Sequence, residues 1–431
     1  MDQKIVNRIQ NSAALKMLAA LALAGVYLIT EPTLSSVYLL YFTYRMQTLV
    51  VFANYIVLAL VFLLTAIRLI WLYRDRCNPN FGMLLPYILV YAGYLAATLA
   101  NPETGNLSKW TDSFLYSLIP LLIAFLFFSF PKGERFYISV VSSVYFVLAV
   151  LNIVFYFFPQ LYIGDAKDWR EAFFLGFKNK AGWSLMMGAL FCLLDWKRNG
   201  QKWKPLLYLA ILLVNIRVVW CITALLGTAL LLGYFIFPFA RRWVQKWDFL
   251  VLVGIILVLF SCLMFFQKYT VSSEPVALFV EEVLHKKRSL SGRLPLWQMG
   301  VAIVLQKPWL GVGAQLHSGF ILMADEYGVW SYYHAHNELL QTWYEGGLLM
   351  VVLAVLMLAY AAYRFRSCGD SSLTGICKMV LFVFLFMQLS DNMPYYLWYM
   401  VGFVSHISIL ACDCAANGPE GQDILAEPQH R

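Results

Sequence analysis

Apolar runs of about 20 residues recur along this chain, and they limit its fold more than any motif does. A lipid-exposed segment must satisfy every backbone N–H and C=O within itself, so an open chain crosses a bilayer as a helix. Hydrophobic residues make up 61% of the chain and charged ones 13%. Soluble domains sit nearer half and a quarter. The sequence therefore predicts an all-α, polytopic helical membrane protein with about twelve transmembrane helices. It reads as one integral membrane domain over 1–431, with a long outward-facing loop at 267–346 and a polar tail at 413–431.

Basic residues orient the spans. Lys4, Arg8 and Lys16 flank the first run, Ala13 to Ile29. That run lacks a small-x-small cleavage site and reads as a retained span. Clusters follow at Arg68, Arg74 and Arg76, at Lys197, Arg198, Lys202 and Lys204, at Arg241, Arg242 and Lys246, and at Arg364 and Arg366. Placing these short connectors in the cytoplasm puts both termini inside. Leu34 to Gln47, with Arg45, reads as an outer interfacial segment before the span Thr48 to Leu72. Two spans with a turn near Arg45 is the alternative. The basic residues left outside gather in the loop Pro159 to Lys180, at Arg217, and in the long loop. An outward-facing basic site would collect them, although long loops escape the charge rule in any case. The net charge of +8 follows this pattern and calls for no nucleic-acid partner.

The long loop holds the chemistry. Three of the six histidines, His317, His334 and His336, lie between Ser291 and Gly347. Two helices are expected here. One starts at Glu274-Pro275 and lies on the membrane surface. The other runs from Leu294 to Gln306, with Trp297, Val301, Val304 and Leu305 as its apolar stripe and Pro308 just past its end. No third ligand at metal spacing joins His334 and His336, and Cys412 with Cys414 supply only two, so no metal site is expected.

The order Gly292-Arg293, Trp297, Pro308-x-x-Gly311-x-Gly313, His336-Asn337, Glu345-Gly346 resembles the O-antigen ligase and polysaccharide polymerase superfamily. The resemblance implies a membrane glycosyltransferase at the outer face of the cytoplasmic membrane. Such an enzyme takes a glycan from an undecaprenyl-diphosphate carrier and passes it to an acceptor hydroxyl, without metal or cofactor. Polymerisation of surface polysaccharide repeat units is the favoured reading, with ligation to a lipid A core or other end acceptor as the alternative. A flippase or transporter for lipid-linked sugar is the rival of another class. It would need ionisable residues inside several spans, where this chain has almost none.

The residues suit that reaction. Arg293 and Arg217 are the expected diphosphate ligands, because a guanidinium stays charged and binds bidentately. Around Arg217 the family shows Ser-Arg, often with Gly next; this chain has Ile216 before it and Val218-Val219 after. An interfacial anchor is the other reading of Arg217. His336 is the expected general base, since a neutral imidazole accepts a proton near pH 7. His334 lies two residues away and could substitute. Asn337 and Glu345 complete the motif; Glu345 reads equally as an arginine partner or a helix cap. Lys178, Lys180 and Arg170 either bind phosphate or acceptor acids, or anchor their loop at the interface.

Overall fold

The computed structural model describes residues 12–30, 44–74, 81–130, 132–161, 172–265, 273–278, 281–282, 293–314, 334–368, 372–391 and 399–407. In chain order the helices are α1 (Ala13–Thr30), α2 (Tyr44–Arg74), α3 (Leu85–Ala100), α4 (Leu107–Phe128) and α5 (Gly133–Phe157). A hairpin of two-residue strands, β1 (Ala172–Phe173) and β2 (Gly176–Phe177), precedes α6 (Lys178–Asn199) and α7 (Trp203–Val219). Then come α8 (Ile222–Ile236), α9 (Pro238–Lys246), α10 (Phe249–Met264), α11 (Glu274–Leu278), α12 (Arg293–Gln306), α13 (Glu338–Ser367) and α14 (Ser372–Gln388). A last helix, α15, spans 399–407. The all-helical expectation holds apart from the hairpin, which sits in the segment read as a plain loop.

Among the described residues, four helices are long and apolar enough to cross a membrane by themselves. The count is five if α8 and α9, bent by 96° at Phe237, form one broken span. Arg45 falls at the start of α2, which runs unbroken from Tyr44 to Arg74; the residues before Tyr44, where a turn near Arg45 would lie, are outside the described residues. Most of Leu34 to Gln47, the tail 413–431, Gly292, His317 and Arg170 lie outside the described residues.

The chain divides into two compact units, with α4 contributing to both. The first unit comprises 1–79 and 118–225. At its centre α5, α6 and α7 pack closely. The bare backbone of Gly188 admits the Tyr208 ring, whose hydroxyl donates to the Leu185 carbonyl at 2.9 Å. Polar side chains tie the three helices together. Lys204 Nζ donates to Asp195 Oδ2 and to Ser142 Oγ, both at 2.7 Å, so its buried charge is paired and hydrogen-bonded. Asn152 Nδ2 donates to Asn215 Oδ1 at 2.8 Å, and its own Oδ1 accepts from the Leu175 N–H in the hairpin turn at 3.0 Å.

The second unit comprises 80–117 and 226–431. Its core under the long loop is built from Met264, Leu296, Trp297, Val304, Leu340 and Tyr344. This corrects the expected stripe of α12. Leu305 is 63% exposed, and Leu296 is buried in its place. Gly300 lets Leu340 approach, since a Cβ there would stand 2.9 Å from it. The surface helix expected from Glu274 is described only as far as Leu278.

The start of α13 also differs from expectation. The sequence places its span from Gly347, but the helix opens nine residues earlier, at Glu338, and is kinked at Gly347 (φ 62°, ψ −162°). Only glycine adopts that conformation readily.

Candidate active site

His336 stands immediately before α13 with φ at +48°. Few side chains accept the left-handed region, although His does so more often than most. Its neighbours hold it there. The buried indole of Trp297 donates to the Ala335 carbonyl at 2.8 Å, and the Ala335 N–H donates to Gln341 Oε1 at 2.8 Å. The His336 N–H donates to His334 Nδ1 at 3.2 Å, and the two imidazole rings lie 4.2 Å apart, centre to centre. Asn337 Oδ1 caps the helix by accepting from the Leu340 N–H at 2.9 Å. Asn337 Nδ2 donates to the Leu389 carbonyl at 2.8 Å.

That last bond brings the end of α14 against the start of α13, and with it Asp391. The Asp391 carboxylate is 2% exposed, and its Oδ1 lies 3.7 Å from His336 Nδ1. This is an electrostatic contact, longer than a hydrogen bond. A buried carboxylate at one imidazole nitrogen can orient the ring, leaving the other nitrogen for a reacting proton. Catalytic contacts of this kind often tighten only when substrate is bound. Asp391 was not singled out in the sequence. Its role depends on the approach of α14 to α13, and no local pattern announces that approach.

Arg293 is the first residue of α12 and is half-buried. Trp297 follows it by four residues, so both side chains share one face of the helix. Arg293 is therefore on the face that grips the histidine loop. The Gly292 that precedes it lies outside the described residues.

The Pro308–Gly313 segment works through its backbone. The N–H groups of Val312 and Gly313 donate to the carbonyls of Tyr344 and Glu345 at 3.0 and 2.8 Å. The N–H of Leu348 donates to the Pro308 carbonyl at 2.7 Å. The segment thereby fills the hydrogen-bonding gap at the kink of α13. Gly311 and Gly347 both have positive φ, and a Cβ on either would overlap backbone of the opposite segment. On its other side the segment meets the end of α3. The Ala314 N–H donates to Thr98 Oγ1 at 3.0 Å, and Thr104 Oγ1 donates to the Val312 carbonyl at 2.7 Å.

Among the described residues Glu345 meets no arginine and caps no helix. It accepts from the Tyr94 hydroxyl and from Gln341 Nε2, the latter at 2.8 Å. Gln341 in turn holds Ala335, so a chain runs from Tyr94 through Glu345 and Gln341 to the residue beside His336. Glu338, which could be read as a helper at the membrane surface, is instead 2% exposed, with Oε1 accepting from Thr342 Oγ1 at 3.2 Å. Tyr94 and Gln341 were not singled out in the sequence. Gln341 falls within the motif stretch, one turn before Glu345, and that spacing is the only signal it offered.

The remaining basic candidates belong to the first unit. Arg217 is exposed in the last turn of α7, with its guanidinium 5.7 Å from the ring centre of Trp220. It follows by two residues Asn215, which is tied through Asn152 to the hairpin turn at Leu175. Lys178 and Lys180 open α6 directly after that hairpin and are half-buried. The structure thus unites Arg293, His334, His336, Asn337 and Glu345 in one unit and Arg217, Lys178 and Lys180 in the other. Among the described residues, no group of three or more His, Cys, Asp or Glu side chains is placed to hold a metal ion.

No curated protein matches the chain. The family model described as O-antigen ligase matches residues 206–355. That stretch takes in Arg217, Arg293, Trp297, the histidine loop and the Gly347 kink, and over it this chain is similar to the O-antigen ligase family.

Proposed function

We propose that this protein transfers a glycan from a polyprenyl-diphosphate lipid to an acceptor hydroxyl. The acceptor oxygen attacks the anomeric carbon, the bond from that carbon to the phosphate oxygen breaks, and the diphosphate leaves on its lipid. The hydroxyl proton passes to His336, whose imidazolium Asp391 then stabilises. The observation that carries this reading is the His336–Asp391 contact, built at a helix start by Trp297, Gln341 and Asn337. Arg293 binds the diphosphate and offsets the charge that develops as it leaves. Arg217 is its proposed second ligand, with Lys178, Lys180 and Arg170 on substrate phosphate or acids. The guanidinium groups do the work a divalent cation does in other transferases, so the reaction runs without metal. In this reading twelve spans place both termini in the cytoplasm and the site on the outer face.

The acceptor we favour is a second lipid-linked repeat unit, which makes the product a polymer. Ligation to an end acceptor such as a lipid A core is the second reading, and the description of the matching family favours it. Reconstitution with a lipid-diphosphate oligosaccharide tests both. Chain growth without added acceptor supports polymerisation, transfer only when a core acceptor is supplied supports ligation, and no transfer under either condition overturns the proposal.

A further inference from the structure

The helix α9 is a short, rigid platform turned at 96° to the apolar helix before it. Phe239, Trp243 and Trp247 recur at four-residue intervals and so share one side. They are 67%, 39% and 42% exposed. Val244, between them and the protein, is buried. Arg242 and Lys246 flank this aromatic row, four residues apart, while Arg241 lies on the far side of the helix from it; all three are exposed.

The platform is fixed from behind by α14. Lys378 Nζ donates to the Gln245 carbonyl in the last turn of α9 at 3.0 Å and to the Trp247 carbonyl just past it at 3.2 Å. Gly375 permits the close approach, since a Cβ there would stand 2.8 Å from Gln245. The outward side of α9 is thus a preformed row of aromatics edged by cations.

We propose that α9 lies in the plane of the membrane surface and binds the headgroups of anionic phospholipid. A helix perpendicular to a span lies along the interface. Aromatic rings sit at headgroup depth, and cations beside them meet the phosphate layer. The charges on this face have one sign, which fits an anionic lipid and gives a zwitterionic one no advantage. This surface is independent of the transfer reaction, and none of its residues belongs to the site around His336.

The test uses the full-length protein in phosphatidylcholine nanodiscs with or without phosphatidylglycerol, with retained lipid counted by native mass spectrometry after release. The wild type should retain phosphatidylglycerol in preference to phosphatidylcholine. The variant R242Q/K246Q should lose that preference by roughly fivefold per charge removed. R242K/K246R, which keeps both charges, should retain it. The glutamine variant should unfold at the wild-type temperature in phosphatidylcholine alone, which separates lost binding from lost folding. Equal retention of the two lipids by the wild type, or undiminished phosphatidylglycerol retention by R242Q/K246Q, would overturn the proposal.

Discussion

His336 Nδ1 lies 3.7 Å from Asp391 Oδ1, and the two residues come from helix ends that the Asn337 side chain ties together. The separation is set by that join. The 2.8 Å bond from Asn337 to the Leu389 carbonyl fixes α14 two residues before the carboxylate and α13 one residue after the imidazole. The proposed general base and its proposed orienting group thus come from segments more than 50 positions apart.

If Asp391 steadies the imidazolium, Asp391→Asn keeps the shape and removes the charge. Turnover should fall by about 10²-fold or more, while binding of the lipid-diphosphate donor is unchanged. Single-turnover kinetics beside a donor-binding isotherm separates the two. Equal loss of both would make Asp391 a packing residue only.

Gln341 couples Glu345 to the histidine loop. Gln341→Ala leaves the Ala335 N–H and an oxygen of Glu345 without their partner, at a cost of about 1–3 kcal/mol each. Turnover should drop with it, because Ala335 no longer fixes His336. Tyr94→Phe should act in the same direction and more weakly, and the double variant should cost less than the sum of the two. Full additivity in thermal unfolding and in rate would show that the chain is not coupled.

Gly347 has no tolerated replacement. Gly347→Ala places a Cβ onto the Trp309 backbone in a conformation that L-residues avoid. The expected loss is on the order of 3 kcal/mol, seen as poor yield of folded protein in detergent. A variant that folds and melts like the wild type would mean that the Pro308–Gly313 segment does not brace the kink.

One pH effect follows from Asp248, which caps α10. Burial raises its pKa, but the hydrogen bonds from Arg366 and the Leu250 N–H, with the charges of Arg366 and Lys378, outweigh that and hold it below the usual value. A depressed carboxylate adds stability that is complete above its unfolded pKa, about 3.9, and is lost as pH falls through the lower folded value. The difference in melting temperature between wild type and Asp248→Asn, which keeps the cap, should be constant above pH 5 or so and vanish in stronger acid. A difference that persists unchanged at low pH would contradict the assignment.

The helical architecture was legible because apolar runs have one solution in a bilayer. The histidine loop was legible because its motif is contiguous. Trp297 was recognisable as part of the pattern, but its purpose, a hydrogen bond to Ala335, needed the fold. Asp391 and Tyr94 were hidden for the same reason. Each lies far from the motif in sequence and reaches it only because α14 and α3 pack where they do. The early start of α13 was missed because His336-Asn337 reads as loop, whereas Asn337 is already the cap. The glycines signalled tight backbone, yet which segment they met could not be read from spacing.

The most direct test is the rate of glycan transfer by His336→Ala in proteoliposomes supplied with a lipid-diphosphate oligosaccharide. A general base contributes roughly 10²–10⁴-fold. The variant should therefore lose that much turnover while still binding the donor through Arg293, and His334→Ala should be far milder. An enzyme with His336→Ala that turns over like the wild type, or whose donor binding is lost in step with its rate, would contradict the assignment of His336 as the base.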